Sequence, residues 1–326
     1  MRKKIVMYFR KRPLSRDPFE TFGTKRSTYY QLFKQGVDFD FDMFVASGEE
    51  NYEYPLRFKN TFIYESDHFE PHPEKIDADA IFDRSGGTFF PPEKIGSKVL
   101  NRIEFKRLCN DKNAMKKFLG DYMPKSNRIH TQEELLFHLD SYKEASRVAL
   151  KPARGMQGKD IAIDSPKNIA RIKLRVETEY TLQEFIDTSS GIPGITSTYH
   201  DLRVVIANGE IALSHVRTPR RGSLLANVAQ GGSIREVLTK DIPDFIQDAT
   251  RKIQSLIDEK YDFPLYSIDF GVQNKTIPFV FELNDQIGFP SEAMIGSDFF
   301  IYQILKSLKK RADRKAYSES SFTLIP

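Results

Sequence analysis

Tyr266-Ser267-Ile268-Asp269-Phe270 and, one turn later, Phe279-Val280-Phe281-Glu282-Leu283-Asn284 read as the two strands of a hairpin, with Gly271 through Pro278 as turn material and Gln273-Asn274-Lys275 at its tip. Side chains alternate faces along a strand. In the first run Tyr266, Ile268 and Phe270 share one face and Asp269 takes the other; in the second, Phe279, Phe281 and Leu283 share one face and Glu282 and Asn284 the opposite one. An apolar face then packs while the other presents two carboxylates and an amide. Hard oxygen ligands of this kind suit Mg²⁺, which keeps waters and shares substrate phosphates. A merely solvated outer face is the bland alternative, and the segments upstream weigh against it.

The chain has 326 residues, which fits about two or three compact units. With 40% hydrophobic and 29% charged residues it is expected to fold into packed cores. The net charge of +4, from 49 basic and 45 acidic residues, is too small and dispersed to indicate nucleic acid and is compatible with anionic small substrates. Cys109 is the only cysteine, so an intrachain disulfide and a cysteine cluster for zinc are both excluded. The apolar run Ile5–Phe9 is too short for a signal-peptide core and reads as a first buried strand. No stretch reaches the length of a membrane-spanning helix, and a cytoplasmic location is the default expectation.

The first hundred residues read as a mixed α/β unit, with strands at Ile5–Phe9, Phe41–Val45, Thr61–Tyr64 and Ala80–Phe82. Asp111 caps a helix running to Gly120, with Ala114, Met115, Phe118 and Leu119 on its apolar side. Thr131-Gln132-Glu133-Glu134 is a capping-box pattern opening a helix that buries Leu135, Leu136, Leu139 and Tyr142. Short strands follow at Val148–Lys151, Ile161–Ile163 and Thr181–Ile186. Asn208-Gly209 between Arg203–Ala207 and Glu210–Leu213 predicts a two-residue hairpin turn. Two amphipathic helices are expected over 242–260, with Ile242, Phe245, Ile246, Ala249, Ile253, Leu256 and Ile257 in period, and over 297–311.

Several segments carry chemistry suited to phosphates. Lys151-Pro152-Ala153-Arg154-Gly155-Met156-Gln157-Gly158 lies between two short strands; it lacks the spacing and the following helix of a P-loop, but a glycine-containing hairpin tip can offer backbone N–H groups to phosphates. An ordinary basic turn is an equal reading. Lys112 sits in the first turn of its helix, where the dipole disfavours a cation, so a nearby anion would explain it; an exposed lysine is the plainer account. In Asp201-Leu202-Arg203-Val204-Val205-Ile206 the apolar residues face the core and Asp201 and Arg203 share the other face. Arg217 extends the next strand on the side of Ile211, Leu213 and His215, and Asn227 precedes Gly231-Gly232. Arginines there can hold a carboxylate or phosphate bidentately, or form cross-strand ion pairs; His215 is read as structural.

In order, Asn110-Asp111-Lys112, Val148-Ala149-Leu150-Lys151-Pro152 with Gly155 and Gly158, Leu182-Gln183-Glu184-Phe185-Ile186, Asp201-Leu202-Arg203, Asn227 before Gly231-Gly232, Asp269, and Glu282-Leu283-Asn284 resemble the landmarks of the ATP-grasp superfamily. Within it the series is most similar to carboxylate–amine ligases of the glutamate-adding type and to a spore-coat-associated branch. The resemblance covers the chain from about Lys98 to Pro290 and implies an α/β (α+β) ATP-grasp fold with an N-terminal Rossmann-like pre-ATP-grasp domain. It divides the chain into an N-terminal substrate domain over 1–97, a central and lid region over 98–186, a C-terminal catalytic region over 187–312 and a tail over 313–326. It implies that Lys112 and Lys151 contact ATP phosphates under a lid around Gly155 and Gly158. It further implies that Glu184, Phe185 and Ile186 read adenine from their backbone, and that Asp187 lies near the ribose. Asp269, Glu282 and Asn284 are then the ligands of Mg²⁺, with Mn²⁺ as the alternative, and Arg203, Arg217 and Asn227 hold the γ-phosphate and the acyl substrate. Asp285-Gln286-Ile287-Gly288-Phe289-Pro290 departs from the shorter step to Pro-Gly of many relatives, and the first hundred residues match no motif.

The expected activity is ATP-dependent ligation of a small-molecule or peptide carboxylate to an amine. A regulatory or scaffold protein that binds ATP without ligation, and a small-molecule kinase, are the alternatives. No membrane partner is expected. The chain shows no aromatic-and-basic platform for nucleic acid, and a homo-oligomer is compatible with the sequence.

Overall fold

The computed structural model describes residues 1–87, 89–90, 95–155, 160–224, 226 and 231–314. The N-terminal part contains β1 (Lys3–Phe9), α1 (Arg26–Asp38), β2 (Phe41–Ser47), β3 (Tyr52–Glu53), β4 (Arg57–Phe58), β5 (Thr61–Glu65), β6 (His68–His72), β7 (Ile76–Asp77), β8 (Ala80–Asp83) and β9 (Val99–Leu100). β6-β5-β2-β1-β8-β9 form a six-stranded sheet whose β2, β1, β8 and β9 run parallel, as expected of a Rossmann-like unit, and β3-β4-β7 form a small second sheet. β1 is buried from Ile5 to Phe9, as its continuous apolar run requires of a central parallel strand.

Next come α2 (Ile103–Cys109), α3 (Lys112–Leu119), β10 (Ser126–Ile129), α4 (Gln132–Leu139), β11 (Val148–Pro152), β12 (Ala162–Asp164), α5 (Pro166–Ile169) and β13 (Tyr180–Glu184). Their strands form an antiparallel sheet in the order β10-β13-β11-β12. The Asp111 carboxylate caps α3 by accepting from the N–H groups of Asn113 and Ala114, both at 3.0 Å. Met115 and Leu119 are buried, while Ala114 is exposed instead of joining the apolar side. Thr131 caps α4 through the Glu134 N–H at 3.2 Å, and Glu134 returns a bond to the N–H of His130. Leu136 is 50% exposed, against expectation, because the helix buries only the narrower stripe of Leu135 and Leu139.

The last part comprises β14 (Asp201–Ala207), β15 (Glu210–Thr218), β16 (Ser233–Glu236), α6 (Asp244–Tyr261), β17 (Tyr266–Gln273), β18 (Ile277–Asn284) and α7 (Ser297–Ala312). The five strands form an antiparallel sheet in the order β16-β15-β14-β17-β18. Asn208 and Gly209 both have positive φ, 54° and 81°, as a two-residue turn demands. α6 covers one face of the sheet over Leu202, Val204, Ile206, Ile268 and Phe270, and Leu256 points outward at 42% exposure. α7 lies on the other side, in a core shared by Val205, Ala207 and Leu213 with Ile5, Leu32 and Phe82 of the N-terminal part.

Two β-bulges correct the expected facings. A register shift between Asp269 and Phe270 pairs Phe270 with Val280, leaving Phe281 as the extra residue. Val280 and Leu283 therefore join the core, and Phe279 and Phe281 fall on the face of Asp269 and Glu282. β17 and β18 also extend to Gln273 and Ile277, so the turn is tighter than Gly271–Pro278, with Asn274 and Lys275 at φ 50° and 68°. A second shift, between Val205 and Ile206, pairs Ile206 with Ile211 and Val205 with Leu213. Ile211 is thereby placed against the core on the α6 side, away from Leu213, His215 and Arg217.

Candidate active site

The sheet register aligns the candidate side chains. His215 pairs with Arg203, Arg203 with Asp269, and Asp269 with Glu282, one row across β15, β14, β17 and β18. Arg217 and Asp201 pair in the adjacent row, and Asn284 follows Glu282 two residues on, hence on the same face.

Asp269 is the hub. Its Oδ1 accepts from Arg203 Nε at 2.7 Å. Its Oδ2 accepts from Arg203 Nη2 and Arg217 Nη2, each at 2.7 Å, and from Asn284 Nδ2 at 3.2 Å. Arg217 also forks onto Asp201, with Nε 2.5 Å from Oδ1 and Nη2 2.8 Å from Oδ2. Burial raises the Asp269 carboxyl, but the two guanidinium groups outweigh it and hold it far below the usual carboxylate range. For Asp201 burial prevails over Arg217 and pushes the carboxyl up to about 6. Burial beside Arg203 and Arg217 drops His215 to about 3, so this imidazole is neutral. Each arginine still has its Nη1 without a partner among the described residues.

Two lysines face this row. Lys112 Nζ is 3.7 Å from Glu282 Oε1 and donates to the Gly155 carbonyl at 3.1 Å. Its position is fixed from both sides: its own N–H donates to the Ala153 carbonyl at 3.1 Å, and Met115, one turn along, accepts the Leu283 N–H on its Sδ at 3.2 Å. Lys151 Nζ donates to Gln183 Oε1 at 2.5 Å and lies 5.8 Å from the Phe281 ring centroid. Burial and the neighbouring Lys112 lower its ammonium to about 8, against the pull of Glu282.

These groups line one cavity of about 490 Å³. Lys112, Lys151, Gly155, Glu184, Phe185, Ile186, Arg203, Arg217, Asp269, Glu282 and Asn284 all contribute to its wall. Gly158 and Asn227 lie outside the described residues. Asp187 is exposed, is absent from the wall and accepts the Ser189 N–H at 2.9 Å, so the structure does not bring it to the site. Beyond β13, neither Phe185 nor Ile186 donates a backbone hydrogen bond among the described residues, which leaves their N–H groups for a ligand.

The wall also holds Gln183, Phe281, Asp285 and Gln286, which the sequence reading did not assign. Gln183 had a legible signal: Thr181 and Gln183 are polar at a two-residue period, alternating with the apolar Tyr180 and Leu182. Phe281 had none, because its facing depends on the bulge.

The donor set fits a hard divalent cation. Glu282 accepts no hydrogen bond among the described residues, and burial raises its carboxyl while Lys112 pulls the other way. Asn284 engages Asp269 through its amide nitrogen and so keeps its oxygen. Oδ2 of Asp269 already accepts three hydrogen bonds, so the lone pair it has left for a cation is on Oδ1.

No protein-family model matches the chain, and no curated protein sequence does. Among solved structures the chain is similar to a RimK domain ATP-grasp protein from Sphaerobacter thermophilus DSM 20745, at 15% identity over 93% of this chain and 98% of that one, with a TM-score of 0.58. It is similar to the D-alanine–D-alanine ligase of Bacillus anthracis complexed with ATP, at 14% identity over 95% and 98%, with a TM-score of 0.61. The ATP-grasp ligase PsnB, complexed with a phosphomimetic variant of its minimal precursor, Mg and ADP, matches at 13% identity over 95% and 98%, with a TM-score of 0.56. The fold is that of ATP-grasp ligases. No helix among the described residues is long and apolar enough to cross a membrane.

Proposed function

We propose that this chain is an ATP-dependent ligase that joins a carboxylate to an amine through an acyl phosphate, releasing ADP and phosphate. The observation that carries this reading is the convergence of Arg203, Asp269, Glu282 and Asn284 with Lys112 and Lys151 on one cavity. The similarity to ligases complexed with ATP, or with Mg and ADP, supports it. In this reading residues 1–97 help to choose the acid, 98–186 carry the nucleotide and its lid, and 187–312 carry the catalytic sheet.

Lys112 and Lys151 bind the phosphates of ATP, and the backbone of Glu184, Phe185 and Ile186 holds the adenine. Asp269 through Oδ1, Glu282 and the Asn284 amide oxygen would hold Mg²⁺, or Mn²⁺. When bound, the cation would neutralise negative charge that develops on the phosphates. Arg203 and Arg217, fixed by Asp269 and Asp201, turn their free Nη1 groups toward the transferred phosphoryl group and the acid. An oxygen of the acid attacks the γ-phosphorus, and the bond to ADP breaks. The amine then attacks the carbonyl carbon, loses a proton, and phosphate leaves.

The test is Mg-ATP turnover against pooled amino acids, peptides and small carboxylates, with nucleotide and product masses followed together. ADP with a condensed product, abolished in Glu282→Gln while the circular dichroism spectrum is unchanged, is expected. A phosphorylated acid released without a joined product would make the protein a kinase. Full turnover by Glu282→Gln would remove that residue from the site.

A further inference from the structure

Next to the site lie two cations that the mechanism above does not use. Lys25, the residue just before α1, is exposed as a residue, but its ammonium tip reaches the Ile287-Gly288 segment. A Cβ added to Gly288 would stand 3.0 Å from its Nζ. Arg84, just after β8, donates through Nη2 to the Ile287 carbonyl at 2.9 Å and contacts the Tyr29 hydroxyl at 3.3 Å. Its Nε is buried with no partner.

Neither cation has a counter-ion among the described residues. Lys25 forms no hydrogen bond or ion pair there, and the charged groups that act on it, Arg84 and Arg203, are both cations. Asp83, adjacent to Arg84, is taken by Lys106 and by Ser85. Arg203 and Arg217, by contrast, each face a carboxylate. Like charges brought together without an acid repel, and an anionic ligand relieves that repulsion.

The placement is firm. Thr28 Oγ1 donates to the Pro290 carbonyl at 2.9 Å, and the Tyr29 ring stacks on Phe289 with centroids 3.9 Å apart. The turn carrying Lys25 is thereby anchored to the segment that continues β18. Ile287 follows the site residue Asn284 by three peptide units, at most about 10 Å of extended chain. Gln286, between them, lines the cavity.

We infer that Lys25 and Arg84 form a subsite for a second anionic group on the acid substrate, a carboxylate or a phosphate, so that the acid is a dianion and not a monocarboxylate. This rests on the ligase reading, because the reacting carboxylate is assigned to Arg203 and Arg217. Lys25 supplies point-charge donors and Arg84 a guanidinium held by the backbone of the same segment.

The experiment is calorimetric titration of the full chain, with Mg²⁺ and a non-hydrolysable ATP analogue present, by butyrate, succinate, glutarate, adipate and 4-phosphonobutyrate. At least one dianion is expected to bind about tenfold more tightly than butyrate, as one charge-assisted contact provides. Lys25→Met should remove that preference and Lys25→Arg should keep most of it, with Arg84→Gln acting in the same direction as Lys25→Met. The dicarboxylate and phosphonate arms tell which second anion is preferred. Equal binding of butyrate and every dianion, or a preference that survives both Lys25→Met and Arg84→Gln, overturns the subsite. Titration of the nucleotide analogue alone separates the two readings: its failure counts against the ATP site, whatever the anions do.

Discussion

Asp269 and Lys151 show how neighbouring groups set the charge states of this site. Asp269 stays ionised despite burial because two arginines and an amide converge on it. Removing that carboxylate would leave Arg203 without an acid, so Asp269→Asn should cost both cation affinity and the aim of the guanidinium groups. Lys151 is the opposite case. Its ammonium is lowered to about 8, chiefly by burial, from an ordinary 10.5. Between those values the unfolded chain binds more protons than the folded one, so stability contributed by this group rises with pH through the window. Under the proposed role of Lys151, nucleotide capture runs the other way, because the charged amine is the form that meets phosphate. We expect kcat/KM for ATP to fall as pH rises through about 8 while the melting temperature does not fall with it. In Lys151→Met the alkaline limb should vanish together with most of the nucleotide affinity. A limb that persists in this variant would assign the titration elsewhere.

The strand pair β17–β18 explains what could and could not be read from the chain. Caps and tight turns were legible at Asp111, Thr131 and Asn208-Gly209, because their signals lie within a few residues. The carboxylate row was legible because Asp269 and Glu282 stand out from apolar alternation. The bulges were not, since an inserted residue depends on how two distant strands settle, and the misassigned facings of Phe279, Phe281 and Ile211 follow from them. Nor was the Lys25–Arg84 pair, which comes from separate segments of the N-terminal part. The bulge at Phe281 has its own requirement. A Cβ on Gly271 would lie 2.0 Å from the Phe281 ring, so the ring occupies the space a side chain would need. Gly271→Ala should therefore cost roughly 1–3 kcal/mol of stability, the usual penalty of overpacking, and should displace Phe281 from beside Lys151. Chemical denaturation measures the first effect and ATP affinity the second. Replacing Phe281 by Ala in the Gly271→Ala background should recover stability but not nucleotide affinity. Stability unchanged by Gly271→Ala alone would mean that the ring is not held there.

Across the molecule, the five-stranded antiparallel sheet and the N-terminal sheet share one apolar core, and Phe289 is where they join. It is 2% exposed, stacks on Tyr29 of α1, and contacts Phe82 of β8 and Phe300 of α7 at centroid distances of 6.2 and 5.3 Å. Only the short run from Asp285 to Gly288 separates it from Asn284, so this ring ties the end of β18 to the part of the chain that carries Lys25 and Arg84. Lys112 and Lys151, proposed to bind the nucleotide, are held by other contacts, to Ala153, Leu283 and Gln183. Phe289→Ala should then lower stability by about 3–5 kcal/mol, as for a large ring removed from a core. Its functional effect should fall on the acid, raising KM for the carboxylate while the affinity for the ATP analogue is nearly kept. Phe289→Leu, which fills most of the volume without the stack, should show the same pattern at smaller size. A variant that lost nucleotide and acid affinity in equal measure would show that the two halves of the site are built on one support. A selective loss of the acid would place its recognition at the junction of the two sheets.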